Sequence, residues 1–168
     1  FMPAIEKSYR IKKQKRYRGI AGLSMGGYGT LIYSLKYPEL FAAAAPLSAA
    51  VFDDQSIETM PDNSWDRTFA QLFGRDMKGK DRLSKSWYDN SILKIVDTKS
   101  TDDLKKVRYW IDCGDDDFLS NANCKLHILM TDKKVPHEFR MRDGAHTWDY
   151  WRTGITDALQ FIGKSFHQ

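Results

Sequence analysis

Three places in this chain hold side chains that could do chemistry together. The first is Gly22-Leu23-Ser24-Met25-Gly26, inside the run Arg18 to Gly29. A short apolar stretch enters a serine flanked by glycines, and a helix-like stretch leaves it. This is the G-x-S-x-G pattern of a nucleophile elbow. A sharp strand-to-helix turn lifts the hydroxyl above a sheet edge, at the cost of strained backbone. Gly22 and Gly26, without Cβ atoms, let strand and helix approach. The helix behind the serine aims its N-terminal dipole at charge developing on a substrate oxygen. The second place is the acidic turn Gly114-Asp115-Asp116-Asp117, and the third is His146. A serine is a weak nucleophile until a base takes its proton. A histidine does that near neutral pH and returns the proton to a leaving group. An aspartate holds the imidazole in the right tautomer. Met25, next after the serine, supplies an oxyanion-hole amide.

A lone G-x-S-x-G occurs in ordinary glycine-rich turns, so the elements that position these groups decide the matter. Tyr17–Ala21 predicts a strand before the serine, and Tyr28–Tyr37 a helix whose apolar residues recur at helical spacing until Pro38. Phe41–Leu47 reads as a fully buried parallel strand, weakened by its alanines. Val107–Cys113 predicts a third strand, ending in the acidic turn. Phe118–Lys133 predicts a helix, His137–Met141 a fourth strand, and Trp148–Phe166 a final helix capped by Thr147. Met2–Tyr9 reads as the end of a helix, and Pro3 suits a first helical turn. Alternating strands and helices predict an α/β chain, a parallel sheet covered on both faces. Ser24, the acidic turn and His146 all fall just past the C-terminal ends of strands, where such sheets place ligands. Their order is Ser, Asp, His.

Between Ser48 and Lys106 the pattern changes. The segment is polar and holds no long period. Trp65–Phe73 predicts a short helix, with Trp65, Phe69, Leu72 and Phe73 on one face and Gly74 as its cap, and Trp87–Val96 predicts another. So long an insertion in a compact domain is usually functional. Residues 49–106 are expected to overhang Ser24 as a lid, with Phe52, Trp65 and Trp87 shaping an acyl pocket; the alternative is a surface excursion with its own apolar cluster.

Composition sets bounds. The 168 residues suffice for one domain with a core, and five Trp, eight Tyr and nine Phe argue against disorder. No run nears the ~20 apolar residues of a membrane span. The net charge is +4, and seven Lys and Arg crowd Lys7 to Arg18. Without a base-stacking motif that run reads as a solvated connection, not a nucleic-acid surface. Cys113 and Cys124 form no disulfide framework and no metal motif, and read as buried thiols. The Asp115–Asp117 run lacks the flanking ligands of a calcium loop. His127, His137 and His167 carry structural readings. No metal or cofactor is called for.

Ile20–Gly29, Ile111–Leu119 and Gly144–Trp151 together resemble the three signature blocks of the esterase D-like "putative esterase" family of α/β-hydrolases, which includes feruloyl, acetyl and tributyrin esterases, S-formylglutathione hydrolases and mycolyltransferases. The resemblance runs over nearly the whole chain. It implies a serine carboxylesterase working through an acyl-enzyme on acetyl or feruloyl esters of polysaccharides or on small aryl esters. It implies Ser24 as nucleophile, His146 as base and Asp117, immediately before Phe118-Leu119, as the acid. Asp116 is the runner-up and Asp112 a structural group. Trp148, beside the base, is a candidate for lining the acyl pocket. An acyltransferase with the same three residues and a noncatalytic carbohydrate-binding or assembly module are the alternatives. The compartment is left open: a secreted or periplasmic parent fits the resemblance, and a cytoplasmic one is compatible with it. Only sixteen residues precede the predicted strand Tyr17–Ala21, and no His-Gly-Gly loop occurs. The chain therefore reads as the C-terminal part of a hydrolase domain, with the nucleophile strand at an open edge, needing a missing N-terminal half or a second copy.

Overall fold

The computed structural model describes residues 1–167. Helix α1 (Met2–Ser8) and a 3-10 turn (Lys15–Tyr17) precede β1 (Gly19–Leu23). The turn takes Tyr17, so the strand starts and ends two residues later than its apolar pattern predicts. Lys12 and Arg16 sit over the Tyr17 ring, and Arg18 pairs with Glu6, so part of the basic run is spent on local packing. Helix α2 (Met25–Lys36) follows Ser24, then β2 (Ala43–Leu47). Across the insertion come α3 (Asp54–Glu58), α4 (Asp62–Thr68), α5 (Ala70–Phe73), α6 (Lys85–Tyr88), α7 (Ile92–Thr98) and α8 (Thr101–Leu104). Strand β3 (Arg108–Gly114), α9 (Ser120–Asp132), β4 (His137–Arg142) and α10 (Trp148–Ser165) complete the chain.

The four strands are parallel, in the order β1-β2-β3-β4. Side chains alternate across a strand, and the alternation sorts the core into two layers. Ala44, Tyr109 and Ile111 face α2, α7 and α9, packing with Leu31, Leu35, Val96, Leu126 and Met130. Ala43, Ala45, Leu47 and Trp110 face α10, packing with Trp151, Ala158, Phe161 and Ile162. Strand β2 is buried throughout, and its small side chains suit the layer between α2 and α10. Pro46 lacks an N–H to give to a ladder. The β2–β3 pairing accordingly skips Ala45 and Pro46, while β1 pairs with β2 at every residue.

The insertion departs from its periodicity. Trp65–Phe73 is two helices meeting at Phe69, and Leu72 points outward, 71% exposed. The Trp87–Val96 reading also divides, because Ser91 accepts a bond from Lys94 N and so starts a new helix. Asp53, Ser84 and Ser100 cap α3, α6 and α8 in the same way. The segment has its own apolar cluster of Ile57, Trp65, Phe69, Ala70 and Trp87. Thr147 stands at the start of α10 but makes no side-chain capping bond. Cys113 is buried, whereas Cys124 is only half-buried. Among the described residues, no helix is long and apolar enough to cross a membrane.

Candidate active site

Ser24 sits between β1 and α2 at φ 55°, ψ −118°, left-handed backbone that an L-residue adopts only under constraint. The constraint is visible. Ser24 N donates to Leu47 O at 3.0 Å, and Ser24 O accepts from Tyr28 N and Ala50 N, each at 3.0 Å. A Cβ on Gly22 would lie 2.4 Å from Gly26 O, so only glycine fits there. The expectation for Gly26 does not hold in the same form. A Cβ there meets nothing within 4 Å, whereas one on Gly27 would lie 2.9 Å from Ala49 Cα. The close approaches are thus strand to helix at Gly22 and helix to the β2 exit at Gly27. The first amides of α2, Met25 N–H included, have no acceptor within their helix.

Ser24 Oγ lies 2.9 Å from His146 Nε2, and His146 Nδ1 lies 2.8 Å from Asp117 Oδ2. Residues 122 positions apart in the chain are brought together by the shared C-terminal edge of the sheet. Asp117 is buried, 2% exposed, and its second oxygen accepts Leu119 N at 2.9 Å. Asp116 is exposed and does not reach the imidazole. Asp115 instead stitches the two loops: its carboxylate accepts Gly144 N and Asp116 N, while Asp116 N–H also reaches Gly144 O. The exposed carboxylates of Asp115, Asp116 and Asp143 lie near one another. Asp117 turns away from them toward His146. Asp112, buried at the end of β3, accepts from the Tyr150 phenol at 2.5 Å and pairs with Arg142 at 3.3 Å. Burial, then that carboxylate, pushes the Tyr150 phenol well above its ordinary range. Burial foremost, with Asp117 nearby, pushes the Cys113 thiol up to about 12, which leaves it a neutral packing group.

The imidazole of His146 contacts two rings that the residue pattern did not single out for this role. Phe118 lies 4.8 Å away, and Trp151 meets the imidazole edge-on, also at 4.8 Å. Trp151 is held in turn by its Nε1–H, which donates to Ser48 Oγ at 3.0 Å. Ser48 is itself at φ 42°, its N–H tied to Asp112 O at 2.7 Å. Phe118 was legible as the neighbour of Asp117. Trp151 read as a helix-packing residue, and the Ser48 contact, 103 positions away, has no local signal.

Two cavities flank Ser24. One, of about 40 Å³, is lined by Met25, Tyr28, Phe52, Phe69, Phe73 and Trp87 among others, and so lies between α2 and the insertion. Phe52 and Trp87 reach it; Trp65 packs behind, its indole donating to Gly74 O. The other, of about 210 Å³, lies along β1, between Ala21–Leu23 and the Trp148, Trp151 and Ile155 side chains of α10. Trp148 is 61% exposed, edge-on to Trp151, and belongs to this second groove rather than to the cavity beside Met25.

A parallel sheet covered on both faces, with serine, histidine and aspartate converging past its strand ends in that chain order, is an α/β-hydrolase architecture. Comparison with known proteins narrows the class. The family model described as "Putative esterase" matches residues 1–162. The chain belongs to that family. An acetyl esterase of Caldicellulosiruptor saccharolyticus is 29% identical over 153 residues, covering 91% of this chain and 56% of that protein. A ferulic acid esterase structure superposes with a TM-score of 0.78 at 32% identity, covering 99% of this chain and 58% of that one. The fluorophosphonate-binding serine hydrolase F of Staphylococcus aureus superposes with a TM-score of 0.73 at 26% identity, covering 96% and 60%. The chain therefore spans a little over half the length of these relatives.

Proposed function

We propose that this chain carries the reacting groups of a serine carboxylesterase. The observation that carries the reading is the unbroken relay from Ser24 Oγ to His146 to buried Asp117, at 2.9 and 2.8 Å. His146 Nε2 takes the Ser24 proton as Oγ attacks the ester carbonyl. Asp117 accepts the Nδ1–H bond, keeps Nε2 unprotonated until that moment, and then stabilises the imidazolium. Met25 N–H, at the start of α2, stabilises the oxyanion. The imidazolium protonates the departing alcohol, and an ester between the acyl group and Ser24 remains. Water, deprotonated by the same histidine, releases the acid.

Names of the relatives support a substrate among acetyl or feruloyl esters, carried on a polysaccharide or a small alcohol. Residues 49–106 act as the covering segment: their aromatic side chains meet Met25 and Tyr28 over the small cavity beside the nucleophile. Chain corresponding to the rest of the relatives' length, or a second copy, completes the enzyme along β1. A fluorophosphonate probe tests the core of the reading. Ser24 should label in the wild-type protein, and labelling should vanish in Ser24→Ala. An unlabelled wild-type protein, extended to the length of its relatives, would overturn the serine mechanism.

A further inference from the structure

The stretch at the exit of β2, Leu47 to Ala50, holds no proposed reacting group, yet all three are tied to it. Ser24 N donates to Leu47 O, and Ser24 O accepts from Ala50 N, each at 3.0 Å. The Asp117 turn is tied through Asn123, fully buried on α9. Its amide donates to Ala49 O at 2.9 Å and to Leu119 O at 3.0 Å, while Leu119 N donates to Asp117 Oδ1. His146 is reached through Ser48, whose Oγ accepts the indole N–H of Trp151, the ring edge-on to the imidazole. Two observations single out the Ser48 hydroxyl. The first is backbone. Ser48 is fully buried at φ 42°, where a glycine would sit without strain. A serine is kept there against that strain, and its hydroxyl is the group a glycine would lack. The second is what else holds the base. Asp115 anchors its loop at Gly144, two residues before His146. Thr147, the residue after it, makes no side-chain capping bond. Of the two rings against the imidazole, Phe118 is 73% exposed and Trp151 only 7%. Trp151 is the wall that is itself held, and Ser48 holds it.

We propose that Ser48 is a positioning residue for His146: by holding the Trp151 ring, its hydroxyl fixes the tilt of the imidazole on the line from Asp117 to Ser24. The proposal rests on the esterase reading above and deepens it. Ser48 acts through Trp151 and takes no proton itself. Its effect is geometric. Nε2 takes the Ser24 proton only while it stays aligned with Oγ, now 2.9 Å away, and Nδ1 must keep its 2.8 Å bond to Asp117 at the same time. An imidazole free to rock against a loose indole satisfies both bonds for a smaller share of the time. A misplacement of about 1 Å in a reacting group costs about 10²-fold in rate. Ground-state binding does not use the Ser24–His146 alignment, so the loss falls on kcat rather than KM.

Ser48→Gly makes the test, because it removes the hydroxyl and relieves the backbone strain, which favours a retained fold. In the protein extended to its relatives' length, kcat for p-nitrophenyl acetate should fall about ten- to hundredfold in Ser48→Gly, with KM little changed. Trp151→Phe cuts the same link from the other side and keeps a ring in the wall. In the Trp151→Phe background, Ser48→Gly should cost nothing further, since the bond it removes is already gone. Full kcat in folded Ser48→Gly, or losses that add in the double variant, overturn the proposal. A second readout needs no turnover and would not move if Ser48 served stability alone. The His146 Nδ1–H, bonded to Asp117, gives a downfield proton signal, identified by its loss in His146→Gln. In folded Ser48→Gly that signal should shift or broaden relative to wild type. A signal identical to wild type also overturns the proposal. Failure of the esterase reading is separate: it shows as absent fluorophosphonate labelling of Ser24 in the wild-type protein, and the His146 signal still reports whether Ser48 sets the imidazole.

Discussion

The sheet and the insertion hold their functional residues by different means. At the sheet, each proposed reacting group follows a strand whose neighbours are fixed by ladders and by two buried layers. Ser24, Asp117 and His146 therefore meet to within hydrogen-bond distance although their loops are short. The insertion has no strand. It consists of helices of four to seven residues, too short to be stable alone. They are held by caps, by one aromatic cluster, and by Arg82. That guanidinium, 1% exposed, donates to the carbonyls of Met77, Ile57 and Met60, pairs with Asp62 at 2.5 Å and lies over Trp65. One region positions its side chains through a ladder of paired strands. The other encloses space beside them.

If this division is right, damage to the sheet-borne groups should collapse kcat, and damage to the insertion should alter substrate preference or local stability. Ser24→Ala should lower kcat by about 10⁴-fold or more and abolish burst acylation with the fold unchanged. Stopped-flow measurement with p-nitrophenyl acetate on the protein extended to its relatives' length checks this. Asp117→Asn should cost about 10⁴-fold through the wrong His146 tautomer, while Asp116→Asn, at an exposed carboxylate, should cost far less. Reversed results would mean that Asp116 is the orienting acid.

The two sheet edges supply the next comparison. Strand β4 alternates charge along its length, with Arg140 paired to Glu138 at 2.6 Å and stacked over Trp110. Such charge protects an edge from further pairing. Strand β1 reads Gly-Ile-Ala-Gly-Leu, without a charge, and the exposed Trp148 and Ile155 of α10 border it. It is an edge suited to receive another strand. Residues 1–168 alone should therefore turn esters over about 10²–10³-fold more slowly than the extended protein, the cost of one missing oxyanion donor. They should also elute as more than a monomer. Equal turnover by a stable monomer would show that β1 needs no partner.

Smaller effects belong to the insertion. Arg82→Met takes the guanidinium donor from the Met77, Ile57 and Met60 carbonyls and should destabilise the protein by about 3 kcal/mol. Chemical denaturation followed by tryptophan fluorescence measures it, and labelling of Ser24 by fluorophosphonate should persist in the folded fraction. Asp53 ties the insertion to α9 through Lys125. Burial alone raises its carboxyl, but the bonds from Lys125 and Ser56 outweigh that and hold it at about 2. A carboxyl depressed on folding stabilises above its unfolded value and loses that contribution as pH falls toward its folded one. The tie should hold above about pH 4 and fail toward pH 2. Hydrogen exchange of α3 should quicken over that window in wild type, and Asp53→Asn should remove the pH dependence.

Much of this was legible in the residues. Ser24, the Asp115–Asp117 turn and His146 stand out because each places a chemically distinctive type after an apolar run, and because strand and helix periods differ sharply. The long helices α2, α9 and α10 carry apolar residues enough to show their period. The parallel order of the sheet follows from strands alternating with helices. The short helices of the insertion were poorly legible as periods, because four residues make barely one turn. Their starts are written instead in Asp53, Ser84, Ser91 and Ser100, each accepting from an N–H three residues on.

What only the tertiary structure decided is whatever depends on contacts between distant segments. The Asp117 register needed His146 in place, since three consecutive aspartates differ in sequence only by position. The contact of Phe118 with His146 and the Ser48–Trp151 bond join residues tens of positions apart, and no local pattern encodes them. Composition and period are local properties and set which elements form. Distances between side chains are set by how those elements pack, and a site is made of distances.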